Sequence, residues 1–252
     1  MNLTPIVSII TPSHNSANFI EETINSVLAQ TFILWELIIV DDLSSDNSTN
    51  IVKSIINNNP DRNIYLIENK SNLGPALTRN RAIKEARGRY IAFLDSDDLW
   101  HPTKLEKQLD FMKNNNYPFT CTHFNQINEE GEYQGVVNNI PNKISYNSLL
   151  KANKVGCLTS VYDSDFFGKV YMDAISKRQD YGLWLKLLKK TDHVYCLQEI
   201  LADYRVRKNS VSSNKTKLIK YHWLIYYKYE KLGFFKSLYL TFSYVFRIVF
   251  KK

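Results

Sequence analysis

Four short apolar runs open the chain, at 6–11, 36–40, 64–67 and 90–94. Each is rich in β-branched or aromatic residues and has the length of a strand. Between them the apolar positions switch to helical spacing. Phe19, Ile20, Ile24, Val27 and Leu28 make one face, and Ile51, Val52, Ile55 and Ile56 make another. Residues 74–86 form a third such stretch, rich in alanine and arginine. Strands alternating with helices at this spacing predict βαβ units: an α/β fold with a mostly parallel central sheet flanked by helices.

The stretch 115–160 carries a weaker pattern. Residues 121–127 and 132–137 read as strands around a turn at 128–131. From Asp180 the period is clear again, with Tyr181, Trp184, Leu185 and Leu188 spaced for one helix face. A polar loop at 205–214 ends the globular part. The expected organisation is a domain over 1–214, with halves 1–100 and 101–214, followed by a basic, aromatic helical tail at 215–252.

That tail differs in composition. It carries nine lysines and arginines against one acid, Glu230, and is crowded with aromatics, as in YHWLIYYKY and FFKSLYLTFSYVFRIVFKK. Residues 234–250 number only 17 and include Lys236 and Arg247, which is marginal for a spanning helix. Ser237, Thr241, Tyr244, Arg247 and Lys251 recur as a polar stripe. This suits a helix lying in the interface of an anionic membrane. The alternative is a helix packed on its own domain or on a second subunit.

The 252 residues suffice for a full core, and 44% hydrophobic with 23% charged residues is ordinary globular composition. The net charge of +7 favours anionic partners: nucleic acid, phosphorylated substrates or an anionic membrane. Cys121, Cys157 and Cys196 are odd in number and widely spaced, which predicts reduced thiols in a cytoplasmic protein. The start, MNLTPIVSIITPSHN, lacks the basic opening and small-residue cleavage site of a signal peptide. The sequons at Asn47 and Asn214 then read as chance matches.

In a parallel sheet, ligands sit beyond the carboxyl ends of the strands. Here those ends carry Pro12-Ser-His-Asn15, then Asp41-Asp42-Leu-Ser-Ser-Asp46, then Glu68-Asn69, then FLDSDDLW at 93–100. Polar and acidic residues therefore gather along one edge. In the last stretch Asp95, Asp97 and Asp98 crowd into four positions. Like charges that close raise one another's pKa, so a compensating cation is expected. Hard divalent cations bind carboxylate oxygens, and Mg²⁺ or Mn²⁺ takes few protein ligands beside substrate phosphates. Each acid also has a structural alternative: Asp98 as cap of a helix beginning near Pro102, Asp41 as cap of one beginning near Ser48, and Asp180 as cap before Tyr181. The cluster Ser45, Asp46 and Ser48 can cap without Asp41.

VSIITPSHN, ELIIVDDLSSDNS and NLGPALTRNRAIKEARGRYIAFLDSDDLW resemble the nucleotide-sugar-binding half of inverting glycosyltransferases of family 2, which have the GT-A fold. RQDYGLWLKLLKK, at 178–190, is similar to that family's acceptor-side motif. The longer run to LADYRVRKNSVSSNK resembles bacterial members that build surface polysaccharides. The resemblance implies a nucleoside-diphosphate-sugar donor, expected to be uridine-based, and a glycan or lipid-linked acceptor at the inner face of the cytoplasmic membrane. It implies that Asp97 ligates Mn²⁺ or Mg²⁺, that Asp95 contacts the ribose or a metal-bound water, and that Ser96 between them belongs to the donor site. Pro12, His14 and Asn15 would line the base pocket, Asp41 and Asp42 would recognise the base, and Arg79 would reach the nucleotide. Arg81, Arg87 and Arg89 are expected to be solvated. Asp180 would be the general base that takes the acceptor's proton.

Three positions depart from the family pattern. His14 stands where many relatives have tyrosine, and Gln179 where they often have glutamate. Arg207 stands where many have a metal-binding histidine. An arginine cannot ligate a cation but can pair with a diphosphate, as can Arg205. Two other readings compete. A nucleotidyltransferase on a similar sheet would want a glycine-rich phosphate loop and a lysine after the first strand, and TPSHNSAN offers neither. A nucleic-acid-binding protein without catalysis fits the charge, but an acidic strand-end edge repels phosphate. No nucleic-acid partner is expected.

Overall fold

The computed structural model describes residues 4–207 and 215–250. The first half alternates strictly: β1 (Val7–Ser13), α1 (Ile20–Leu28), β2 (Trp35–Asp41), α2 (Ser48–Asn58), β3 (Ile64–Glu68), α3 (Pro75–Glu85) and β4 (Tyr90–Phe93). There follow β5 (Leu99–Trp100), α4 (Lys104–Asn115), β6 (Phe119–Ile127), β7 (Tyr133–Val137), β8 (Lys143–Ser145), α5 (Tyr146–Lys151), β9 (Val161–Asp163), α6 (Ser164–Phe167), α7 (Gln179–Leu187) and β10 (His193–Arg205). Beyond the undescribed residues 208–214 come α8 (Lys215–Leu224), a π-helical turn (Ile225–Tyr229) and α9 (Phe234–Phe250).

The strands form one sheet in the order β3-β2-β1-β4-β9-β6-β10-β5, with β7 on β6 and β8 on β10. The pairs β3–β2, β2–β1, β1–β4 and β6–β10 are parallel, which brings the carboxyl ends of six strands to one edge. The sheet is more mixed than the alternating pattern implies. Short β9 inserts antiparallel between β4 and β6, and β5, β7 and β8 are also antiparallel. β5, β8 and β9 are only two or three residues long, below the length at which a pattern is readable, whereas β7 falls on the strand expected at 132–137.

Alternate side chains of the parallel strands face opposite layers. Val7, Ile9, Leu37 and Ile39 pack with α1, α2 and α4. Ile10, Ile38 and Val40 pack with α3, with Leu183, Trp184 and Leu187 of α7, and with Tyr226 and Leu240 from the C-terminal helices. So the described part of the tail shares this core. Ser237 and Leu240 of α9 are buried, and Tyr244 stacks on His222 at 3.7 Å. The polar stripe of α9 therefore faces inward over these residues; Lys251 lies outside the described residues. Phe235, Tyr239, Phe242 and Phe246 face outward as an aromatic ridge, 62–83% exposed. Among the described residues no helix is long and apolar enough to cross a membrane.

Arg87 and Arg89, just after α3, are exposed as expected, yet each also holds a partner. Arg87 clamps the buried Glu36, its Nε donating at 2.9 Å, and Arg89 grips Asp163 through two nitrogens. Arg81 donates to the Glu68 carbonyl and to Asn69. Each ties β-strand ends across the layer. Between Arg87 and Arg89, a Cβ at Gly88 would lie 2.7 Å from backbone atoms of β1, so only glycine permits that approach.

His222 sits beneath α7 with no water to charge it. Burial, with the charges of Arg178 and Arg247 behind it, pushes its pKa down to about 3. The unfolded side chain titrates near 6.5, so between these values the unfolded chain binds the extra proton. This contribution to stability is complete above the unfolded value and is lost as the pH falls toward 3. Urea unfolding should show wild type losing about 1 kcal/mol more than His222→Gln between pH 7.5 and 5.5. Parallel losses in the two proteins would contradict this placement.

Candidate active site

A cleft of about 840 Å³ opens over the carboxyl ends of the parallel strands. One wall comes from the loops after β1, β2 and β4, the other from the segments before α7 and after β10. Among the described residues, Pro12, His14, Asp42, Arg79, Asp95, Ser96, Asp97, Asp180, Arg205 and Arg207 all line it. Residues expected from scattered stretches of sequence thus meet in one place. Asn15 and Asp41 serve the loops instead. Asn15, in the left-handed conformation, accepts from the Ser45 amide at 2.8 Å. Asp41 is buried and accepts from the Ser44 amide and hydroxyl.

Asp42 shows how its loop is held. Its carboxylate accepts from Asn69 Nδ2 at 2.7 Å and from the Leu73 and Gly74 amides at 2.8 Å. Burial alone would raise its pKa, but these bonds outweigh burial and hold it below the usual range. The amides before α3 thus meet this carboxylate. His14 Nδ1 donates to the Asp42 carbonyl at 2.9 Å, and Asn15 Nδ2 lies 3.5 Å from its Nε2.

Asp95 is paired with Arg79, whose side chain is almost fully buried. Burial disfavours the Arg79 charge, but Asp95 overrides it, with Cys157 and Asp180 adding to the field, so the guanidinium stays charged. Asp97 accepts from Arg207 at 2.9 Å. Burial pushes its carboxyl up, the charge of Asp95 pushes further, and Arg207 opposes both. Ser96 is held by Ser16, hydroxyl to hydroxyl at 2.7 Å.

Asp98 does not cap a helix. The N-cap of α4 is Thr103, without a side-chain bond, and Asp98 instead accepts from the Arg205 amide at 2.9 Å. Burial and the two neighbouring aspartates push the Asp98 carboxyl well up. Arg205 is the matching cation. Its fully buried guanidinium donates to the carbonyls of Asp97 and Glu129, at 2.9 and 2.8 Å, and to Glu22 at 2.6 Å. Asp180 is likewise not a cap: Arg178 holds the cap position, and Asp180 is one step inside α7, in its first turn. For α2, Asp46 accepts from the Ser48 amide, so Asp41 is not needed there.

Among the described residues no three histidines, cysteines or acids cluster to hold a metal. Asp95 and Asp97 both line the cleft, two hard oxygen donors close enough for the charge of one to act on the other. That set fits an ion that keeps few protein ligands and completes its shell with phosphates and water. Sequence reasoning did not single out Cys157, Lys154, Lys177 or Arg178, which also line the cleft. They sit on irregular segments where no periodicity marks them.

The chain belongs to glycosyl transferase family 2, whose profile matches residues 8–169. It is a glycosyltransferase with the GT-A fold. It is 42% identical, over 94% of its length and 93% of the relative's, to TuaG of Bacillus subtilis, named for teichuronic acid biosynthesis. It is 41% identical, over 86% of this chain and 84% of the relative, to WfgD of Escherichia coli, a UDP-Glc:α-D-GlcNAc-diphosphoundecaprenol β-1,3-glucosyltransferase. Among solved structures, S. aureus TarS in complex with UDP-GlcNAc superposes with a TM-score of 0.71 at 20% identity. That match covers 87% of this chain and 65% of the TarS chain, just under two thirds. The Pyrobaculum calidifontis mannosyltransferase PcManGT, in complex with GDP-Man and Mn²⁺, gives 0.69 at 16% identity, over 96% and 70%.

Replacing Arg205 with lysine keeps the charge but strands at least two buried carbonyls. Chemical denaturation of Arg205→Lys should show a loss of about 3 kcal/mol. An unchanged midpoint would mean that the guanidinium is not what holds Asp97 and Glu129 together.

Proposed function

We propose that this chain is an inverting, metal-dependent glycosyltransferase that moves a sugar from a UDP-sugar to a hydroxyl of a lipid-linked glycan in cell-surface polysaccharide synthesis. The observation that carries the reading is the meeting of Asp95-Ser96-Asp97 and Asp180 in one cleft, contributed by opposite halves of the chain. The bacterial relatives named above support the substrate class.

The donor would lie along the strand ends, its base beside Pro12 and His14, with Asp41 and Asp42 shaping the loop beneath it. Asp97 and Asp95 would hold Mn²⁺ or Mg²⁺, which supplies positive charge to the diphosphate as it leaves. Arg207, and the Arg79 guanidinium beside Asp95, add fixed positive charge at the same place. Arg205 keeps Asp97 and the following loop in position. Asp180 accepts the proton of the acceptor hydroxyl as that oxygen attacks the anomeric carbon. The bond to the diphosphate oxygen breaks on the opposite face, carrying its electron pair to the nucleoside diphosphate. One displacement inverts the configuration. The hydroxyl becomes acidic only as the new bond forms, so a carboxylate of ordinary basicity suffices when correctly placed.

Asp180→Asn should lower turnover by 10³-fold or more while UDP affinity stays within about twofold, measured by calorimetry and by a radiolabelled transfer assay. Retained transfer would remove Asp180 from the mechanism, and a retained anomer in the product would remove the single displacement.

The aromatic ridge of α9, with basic residues around it, would rest in the headgroup layer of an anionic membrane, making the enzyme peripheral at the inner face. Phe235→Ser/Phe242→Ser should weaken sedimentation with vesicles of 30% phosphatidylglycerol by at least fivefold without changing the melting temperature by more than a few degrees. Equal sedimentation of variant and wild type would refute this contact.

A further inference from the structure

Among the described residues six lysines and arginines line the cleft. Arg79 and Arg207 are paired with Asp95 and Asp97, and Arg205 is enclosed by Glu22 and three carbonyls. The other three, Lys154, Lys177 and Arg178, belong to the acceptor-side half. Lys177 and Arg178 immediately precede the helix that carries Asp180. Lys154 is on the loop leading to Cys157, whose thiol feels the charge of Asp180. Neither Lys154 nor Arg178 makes an ion pair among the described residues; Lys154 donates only to the Asn139 carbonyl, at 3.1 Å.

Two features of Arg178 ask for an anion. Its backbone is left-handed, φ +63°, a conformation that arginine adopts at an energetic penalty and that concentrates at functional sites. Its Nε is buried with no hydrogen-bond partner among the described residues, and a buried donor without an acceptor is rare. Behind it lies His222, buried and uncharged, which offers no compensating charge. Leu218 of α8 lines the cleft at the same side, and α8 packs against α9. Arg178 thus sits near α8, whose His222 feels its charge, and α8 packs on the helix that carries the aromatic ridge.

We propose that Arg178, with Lys177 and Lys154, is the subsite for the diphosphate of a lipid-diphosphate-linked acceptor, separate from the donor's diphosphate near Asp95 and Asp97. A guanidinium and two ammonium groups more than offset the two negative charges of a diphosphate diester and would hold it while the sugar reaches past to Asp180. An acceptor entering from the membrane would meet this corner first. The inference rests on the glycosyltransferase reading above and adds the acceptor's anchoring group.

The test uses the full chain with saturating UDP and Mg²⁺, so that the donor site is filled. Farnesyl diphosphate, an isoprenoid diphosphate, is titrated by calorimetry, with farnesol as the phosphate-free control. Wild type should bind the diphosphate at one site and much more tightly than farnesol. Arg178→Asn removes the charge with a residue that tolerates the left-handed backbone, and should weaken diphosphate binding about tenfold or more. Lys154→Gln should weaken it less, and UDP affinity should be unchanged in both. Equal binding of diphosphate by wild type and both variants, with UDP binding intact, would overturn the subsite and leave the donor reading standing. So would wild type that binds farnesol and its diphosphate alike. Wild type that binds no UDP would overturn the donor reading and this inference together.

Discussion

The need to compensate buried negative charge governs this structure. Parallel strands deliver their loops to one edge, and this chain fills that edge with aspartates. Four of them, Asp42, Asp95, Asp97 and Asp98, line a single cleft. Left alone they would repel one another in a partly dry site. The structure answers each with a specific partner: backbone amides for Asp42, Arg79 for Asp95, Arg207 for Asp97 and the Arg205 amide for Asp98. The partners arrive from α3 and from the end of β10, so the two halves of the chain are joined through the site itself.

The same compensation sets up the chemistry. Arg79 is paired with Asp95 while its field reaches Asp180 across the cleft. Asp97, with its pKa pushed up by burial and by Asp95, is a carboxylate that a divalent ion would relieve. A donor diphosphate would bring charge of the same sign as the aspartates, and the arginines now paired with them would be shared with it. Binding of donor and cation is then a rearrangement of ion pairs already present, which requires little movement of the backbone.

The first hundred residues were legible because long, doubly buried strands leave strong apolar runs and because the family motifs fall at their ends. β1 to β4 and α1 to α3 lie within a residue or two of the expected positions. The places of Asp95, Ser96 and Asp97 in the cleft were legible for the same reason, and that of Asp180 from the motif that opens α7. Short antiparallel β9 and the residues around Lys154 and Arg178 were not, since irregular backbone has no period to read. Charge partners were the other blind spot. Arg87 and Arg89 are surface residues as expected, but their partners, Glu36 and Asp163, are distant in sequence and were not legible. Asp98 read as a helix cap because Arg205 is a hundred residues away. The loop 208–214, with Ser210, lies outside the described residues.

The central claim is that Asp95 and Asp97 form a cation-assisted diphosphate site. The most direct measurement is the melting temperature of wild type and Asp97→Ala with UDP, GDP, CDP or dTDP, each with Mn²⁺, Mg²⁺ or EDTA. A ligand that binds only the folded state raises the melting temperature. The account predicts that UDP stabilises wild type by several degrees with Mn²⁺ or Mg²⁺, not with EDTA, and that Asp97→Ala abolishes the shift. A UDP shift of equal size in EDTA, or in Asp97→Ala with metal, would contradict it.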